Sequence, residues 1–150
     1  MSVSLITASQ VPINEVFGWF WITMGFVSGA VLGLGFHREG FLGGYGSWER
    51  RLLRLGHVAF FGTGLLNVMF AHSLSRVSLG EPWLSVAVWG FVVGAVAMPV
   101  CCVIAARTKK AGMLFALPVL GLTVGGVLTS IGLLMHALGG AAGGATGGAG

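Results

Sequence analysis

The chain has 150 residues, of which 55% are apolar and only 8% charged, with 27 glycines and a formal net charge of +4. Soluble domains carry about 25% charged residues, so this composition excludes a water-coated globule; the mean hydropathy is +0.93. The bases lie in short stretches between apolar runs and do not alternate with aromatics. That excludes a nucleic-acid surface and makes the lipid bilayer the expected partner.

Residues 1–14 contain no Lys or Arg, and neither a basic n-region nor a small-residue cleavage site precedes the first long apolar run. The first span is therefore expected to stay in the protein. A membrane-crossing helix needs about 20 apolar residues, and four stretches qualify: 16–36, 52–74, 83–106 and 112–138. The expected fold is an all-α integral membrane protein, a four-transmembrane-helix bundle occupying residues 1–138.

The first span opens on Phe17, Trp19, Phe20 and Trp21, aromatics that suit the membrane interface. It carries Gly25, Gly29 and Gly33 at four-residue intervals. Such a stripe lets two helix backbones approach closely, or leaves room for a flat cofactor. His37 closes this span as a solvated interface residue. The loop that follows holds Arg38, several glycines, Ser47 as a candidate helix cap, and Arg50 and Arg51. With Arg54, the last two form a basic collar suited to anionic headgroups. The loop has no Walker lysine–threonine pattern, so its glycines do not make a nucleotide site.

The second span carries His57, Phe61, Gly64, Val68 and His72 at steps of four, three, four and four, which puts all five on one stripe. Asn67, nearby, suits an interhelical hydrogen bond, with Thr123, Thr129 or Ser130 of the fourth span as partners. The second loop has only Arg76, beside Glu81. The third span opens on Trp83 and contains Gly90, Gly94, Met98, Pro99, Cys101 and Cys102; the third loop holds Arg107, Lys109 and Lys110. In the fourth span Gly121, Gly125, Gly132 and His136 share a face, and Pro118, like Pro99, is expected to kink its helix. Residues 139–150 contain only Gly, Ala and one Thr and are expected to be a disordered tail. Bases concentrate in the first and third loops, which are expected to face the cytoplasm and leave both termini outside. A bacterial inner (cytoplasmic) membrane fits that pattern.

An ionisable or metal-binding side chain within a span is costly and so marks a candidate site. His72 and His136 fall at similar depth near the outer ends of their spans. With Gly64, Val68 and Gly132 around them, they are candidate axial ligands of a b-type haem. The plainer reading is an interfacial histidine with one nitrogen in water. His57 lies about 22 Å from His72 along the axis, too far to share a metal. It is a candidate proton carrier or quinone partner, or a residue bonded to a neighbouring helix. His57, Met98, Cys101 and Cys102 form an alternative soft-metal set, although adjacent cysteines point about 100° apart on a helix. There is no Asp, and Glu15, Glu39, Glu49 and Glu81 all lie at or beyond span ends. This disfavours a hydrolase and a pump with mid-membrane carboxylates.

Arg54-Leu-Gly-His-Val-Ala-Phe-Phe-Gly-Thr-Gly resembles the histidine helix of small four-helix membrane proteins, among them copper-resistance membrane domains and haem-binding membrane oxidases of porphyrin synthesis. The histidine helix tends to come first there and is second here, so no site role is carried over. The functional expectation is a small membrane subunit of a respiratory or electron-transfer complex, with haem b as a candidate cofactor. The alternatives are a haem-free structural or assembly subunit, and soft-metal transport.

Overall fold

The computed structural model describes residues 12–146, with the side chains of Lys109, Lys110 and residues 141–146 left aside. Four helices follow one another: α1 (Ile13–Phe36), α2 (Trp48–Ser73), α3 (Trp83–Arg107) and α4 (Ala116–Thr146). All four are long and apolar enough to cross a membrane. They form an antiparallel bundle in which α1 packs along α2, α2 along α3 and α3 along α4, while α2 and α4 share no comparable interface.

Glycine sets the spacing of the first and last pairs. A Cβ on Gly18 would lie 2.7 Å from the Gly64 carbonyl oxygen, and one on Gly90 would lie 2.8 Å from that of Gly121. Backbones this close leave no space for a side chain, and dispersion contacts replace the missing methyl groups. α3 is the central helix. Phe70 of α2 packs against Phe91 of α3, ring centroids 4.9 Å apart and planes tilted by 36°, beside the fully buried Ala87, and Leu122 and Leu128 of α4 close over them. At the other end, Leu52, Ala105 and Ala106 form a second small core under Phe115.

The first loop is tied down by polar contacts. Leu42, Gly43 and Gly44 have φ angles of 53°, 78° and 89°, a region that costs a leucine about 1–2 kcal/mol. Arg50, only 4% exposed, donates to the Arg38 carbonyl at 3.0 Å and the Phe36 carbonyl at 3.4 Å, and its guanidinium lies over the Phe36 ring. Arg50 therefore staples the loop and is not a headgroup anchor. Arg54 does similar work on Tyr45, through its carbonyl and its ring. Ser47 caps α2, accepting from the Arg50 N–H at 3.2 Å. Trp48 donates to the Ala105 carbonyl at 3.0 Å, joining the start of α2 to the end of α3.

Two helix ends differ from the sequence reading. Pro118 falls in the first turn of α4, where a missing N–H has no intrahelical acceptor to lose. Helix α4 runs through Thr146, whereas the glycine content led to an expected disordered tail from residue 139. Once a helix is nucleated, each further residue adds a backbone hydrogen bond. Residues 147–150 lie outside the described residues.

Candidate functional site

The histidine stripe of α2 faces α1. A Cβ on Gly29 would lie 2.6 Å from the His57 ring, one on Gly25 2.9 Å from Phe61, and one on Gly18 2.7 Å from Val68. Each step down α1 is matched by the same step up α2, so the glycine stripe of α1 is the groove that receives the α2 stripe. A Cβ on Gly33, the last of that stripe, would meet nothing within 4 Å among the described residues.

This register decides the fate of the haem candidates. Gly64 packs on Ile22 and the Gly18 carbonyl, and Val68 on Gly18. Both are covered by α1 and cannot form a surface for a macrocycle between α2 and α4. Gly132 is covered by Val77 and Leu79 of the second loop, whose Ser78 N–H donates to the Gly132 carbonyl at 3.1 Å. His136 is exposed and meets the Ser78 hydroxyl at 3.4 Å through Nδ1. His72 is exposed as well. No contact brings the two imidazoles together, because α3 lies between their helices.

The soft-metal set also diverges. Cys101 Sγ is directed at the Leu114 carbonyl beyond the end of α3, at 3.3 Å, while Cys102 packs on Gly56 of α2. His57 turns the other way, toward α1. Among the described residues no three His, Cys, Asp or Glu side chains gather as a metal group.

Asn67 is fully buried, and its partner is Asn14 of α1, not the fourth helix. Asn14 Nδ2 donates to Asn67 Oδ1 at 2.8 Å and to the Val88 carbonyl at 3.2 Å. Asn67 Nδ2 donates to the carbonyls of Thr63 at 2.9 Å and Phe91 at 3.3 Å. One amide pair thus joins three helices. Thr129 and Ser130 spend their hydroxyls on carbonyls of their own helix. The reading of the sequence missed Asn14 because it started the first span at residue 16. The signal was present: Pro12 followed by Glu15 marks a helix start.

Around His57 the three helices leave an apolar cleft of about 480 Å³, lined by Trp21, Ser28, Val31 and Leu32 of α1, Leu53, Gly56, His57 and Phe60 of α2, and Pro99, Val100, Val103 and Ile104 of α3. Val31, Val100, Val103 and Ile104 are also exposed on the outside of the bundle, so the cleft opens on its flank. Trp21 lies against Phe60 at 4.8 Å and Phe17 at 5.1 Å, and its buried indole N–H has no partner among the described residues. His57 meets Phe61 edge to face at 5.3 Å. Its Nδ1 is 3.0 Å from Ser28 Oγ, which in turn donates to the Gly25 carbonyl at 2.8 Å. His57 stands seven residues into α2 beyond Arg50, about 10 Å deeper along the axis.

The cleft is an almost wholly apolar concavity whose wall includes one imidazole, one hydroxyl and the indole of Trp21, a composition that suits an apolar ligand with few hydrogen-bonding groups. Trp21 and Ser28 escaped the sequence reading because helical spacing relates residues within a helix, and this wall is shared by three. Comparison with protein-family models, curated proteins and solved structures gives no match for this chain.

Proposed function

We propose that this chain is a small subunit of an electron-transfer type complex in a bacterial inner membrane, and that its cleft around His57 takes a lipid-soluble carrier of the quinone class. One observation carries the reading: a histidine in the wall of an otherwise apolar cleft that opens on the flank of a four-span bundle. An imidazole inside a span is costly unless it is used. Here Ser28 occupies only one ring nitrogen. The aromatic residues Trp21 and Phe60 stand in the same wall. Haem b between His72 and His136 is not adopted, because the residues meant to cradle it pack on α1 and on the second loop.

The test is direct. Solvent extraction of the purified protein followed by mass spectrometry should release prenylated quinone in near-stoichiometric amount. Added decylubiquinone should quench tryptophan fluorescence saturably, and Val103→Trp, which fills the cleft, should abolish the saturable part. Absence of extracted quinone together with non-saturable quenching rejects the reading and leaves a helix-packing subunit.

A further inference from the structure

We infer that Trp21 is a ligand-binding residue of the cleft, its indole N–H donating to an acceptor oxygen on the molecule seated there, such as a quinone carbonyl; this deepens the proposed function and rests on it. An indole N–H can only donate. That of Trp21 is sealed from solvent and has no partner among the described residues. Its position makes the orphan costly. Trp21 stands eight residues into α1 beyond Ile13, about 12 Å along the axis, below the belt where tryptophan meets interfacial water. Inside a span no water replaces an unmade N–H bond.

The aromatic neighbours do not take the proton. The N–H lies in the plane of the indole, so a second ring accepts it on its face only when the two planes stand near perpendicular. Phe17, Phe20 and Phe60 meet the indole at 24°, 43° and 45° instead. The hydroxyl and the imidazole of the wall are engaged elsewhere. Ser28 Oγ gives its one proton to the Gly25 carbonyl at 2.8 Å and lies 3.0 Å from His57 Nδ1. Open volume does adjoin Trp21, in the cleft whose wall it shares with Ser28, His57 and Phe60. An apolar body that carries an acceptor into this volume completes the indole, and one without an acceptor leaves it orphaned. The difference corresponds to roughly three- to tenfold in affinity.

Calorimetric titration of the purified protein in detergent compares decylubiquinone with decylbenzene, which has the same chain and no acceptor. Trp21→Phe keeps an aromatic ring and removes the donor. It should weaken decylubiquinone binding by about three- to tenfold and leave decylbenzene binding unchanged. Nitrogen–proton NMR of protein carrying isotope-labelled tryptophan reads the bond directly. The Trp21 indole signal, assigned by its loss in Trp21→Phe, should move downfield when decylubiquinone saturates the protein and stay in place with decylbenzene. An unmoved signal at saturation, or equal losses of the two probes in Trp21→Phe, overturns the role of Trp21 while leaving the quinone cleft standing. Failure of decylubiquinone to bind the wild type overturns the cleft reading itself and the role of Trp21 with it.

Discussion

Gly29 and His57 are in direct contact across the α1–α2 interface: a methyl group at Gly29 would stand 2.6 Å from Cε1 and 3.2 Å from Nε2 of the imidazole. The glycine thus fixes where the ring sits and keeps its Nδ1 on Ser28. Gly29→Ala should displace the ring, break the Ser28 contact and destabilise the fold by roughly 1–3 kcal/mol, the cost of overpacking, and quinone binding should weaken with the displaced ring. Gly33→Ala is the control, with nothing within 4 Å. It should bind normally and gain up to about 1 kcal/mol of helix stability. Fluorescence titration and thermal unfolding of the two variants make the comparison; equal behaviour would refute the assignment of Gly29 as the seat of His57.

Asn14 and Asn67 should be energetically coupled. Both are fully buried and bonded to each other. Interhelical polar pairs in membranes contribute about 0.6 kcal/mol on average and up to about 1.7. A double-mutant cycle with Asn14→Ala and Asn67→Ala, measured by denaturant unfolding in mixed micelles, should return a coupling in that range. A cycle pairing Asn67→Ala with Thr129→Ala should return none.

Arg50 should matter more than its neighbour Arg51. Arg50 is buried and bonded to two loop carbonyls, while Arg51 is exposed. Arg50→Gln should cost about 1.5–3 kcal/mol, the range for hydrogen bonds from a charged donor. Proteolysis within residues 37–47 should accelerate to match. Arg51→Gln should lie within about 0.5 kcal/mol of wild type, as surface substitutions usually do. Similar losses in both would mean that the collar acts through headgroups after all.

Packing of α3 on α4 should depend on Gly90. With the Gly121 carbonyl oxygen 2.8 Å from a Cβ at this position, backbone stands in the way and no flexible side chain can yield. Gly90→Ala should destabilise by about 1–3 kcal/mol. Gly126→Ala, at a glycine with open space around it, should not. Unfolding midpoints of the pair decide the matter.

The cysteines should be slow toward alkylation in the folded protein. Cys101 is 5% exposed and Cys102 fully buried, against different neighbours. Maleimide labelling should proceed only on unfolding, and Cu(I) titration should show no site lost on Cys101→Ser together with Cys102→Ser. A stoichiometric site that disappears in that variant would reinstate the soft-metal reading.

The amino-acid sequence by itself determined four apolar spans, the charge asymmetry between loops, and the stripes on each helix, because hydropathy and the 3.6-residue period are local properties. It placed Gly25, Gly29 and Gly33 on one face and His57, Phe61, Gly64, Val68 and His72 on another. Only the tertiary structure decided that these two faces meet each other, which covers Gly64 and Val68 and leaves α3 between the helices of His72 and His136. It likewise chose Asn14 as the partner of Asn67 and assembled Trp21, Ser28 and His57 around one cleft. A stripe states which residues point the same way; which helix fills it depends on close packing between segments far apart in the chain, where single glycines allow or forbid an approach of a few ångströms.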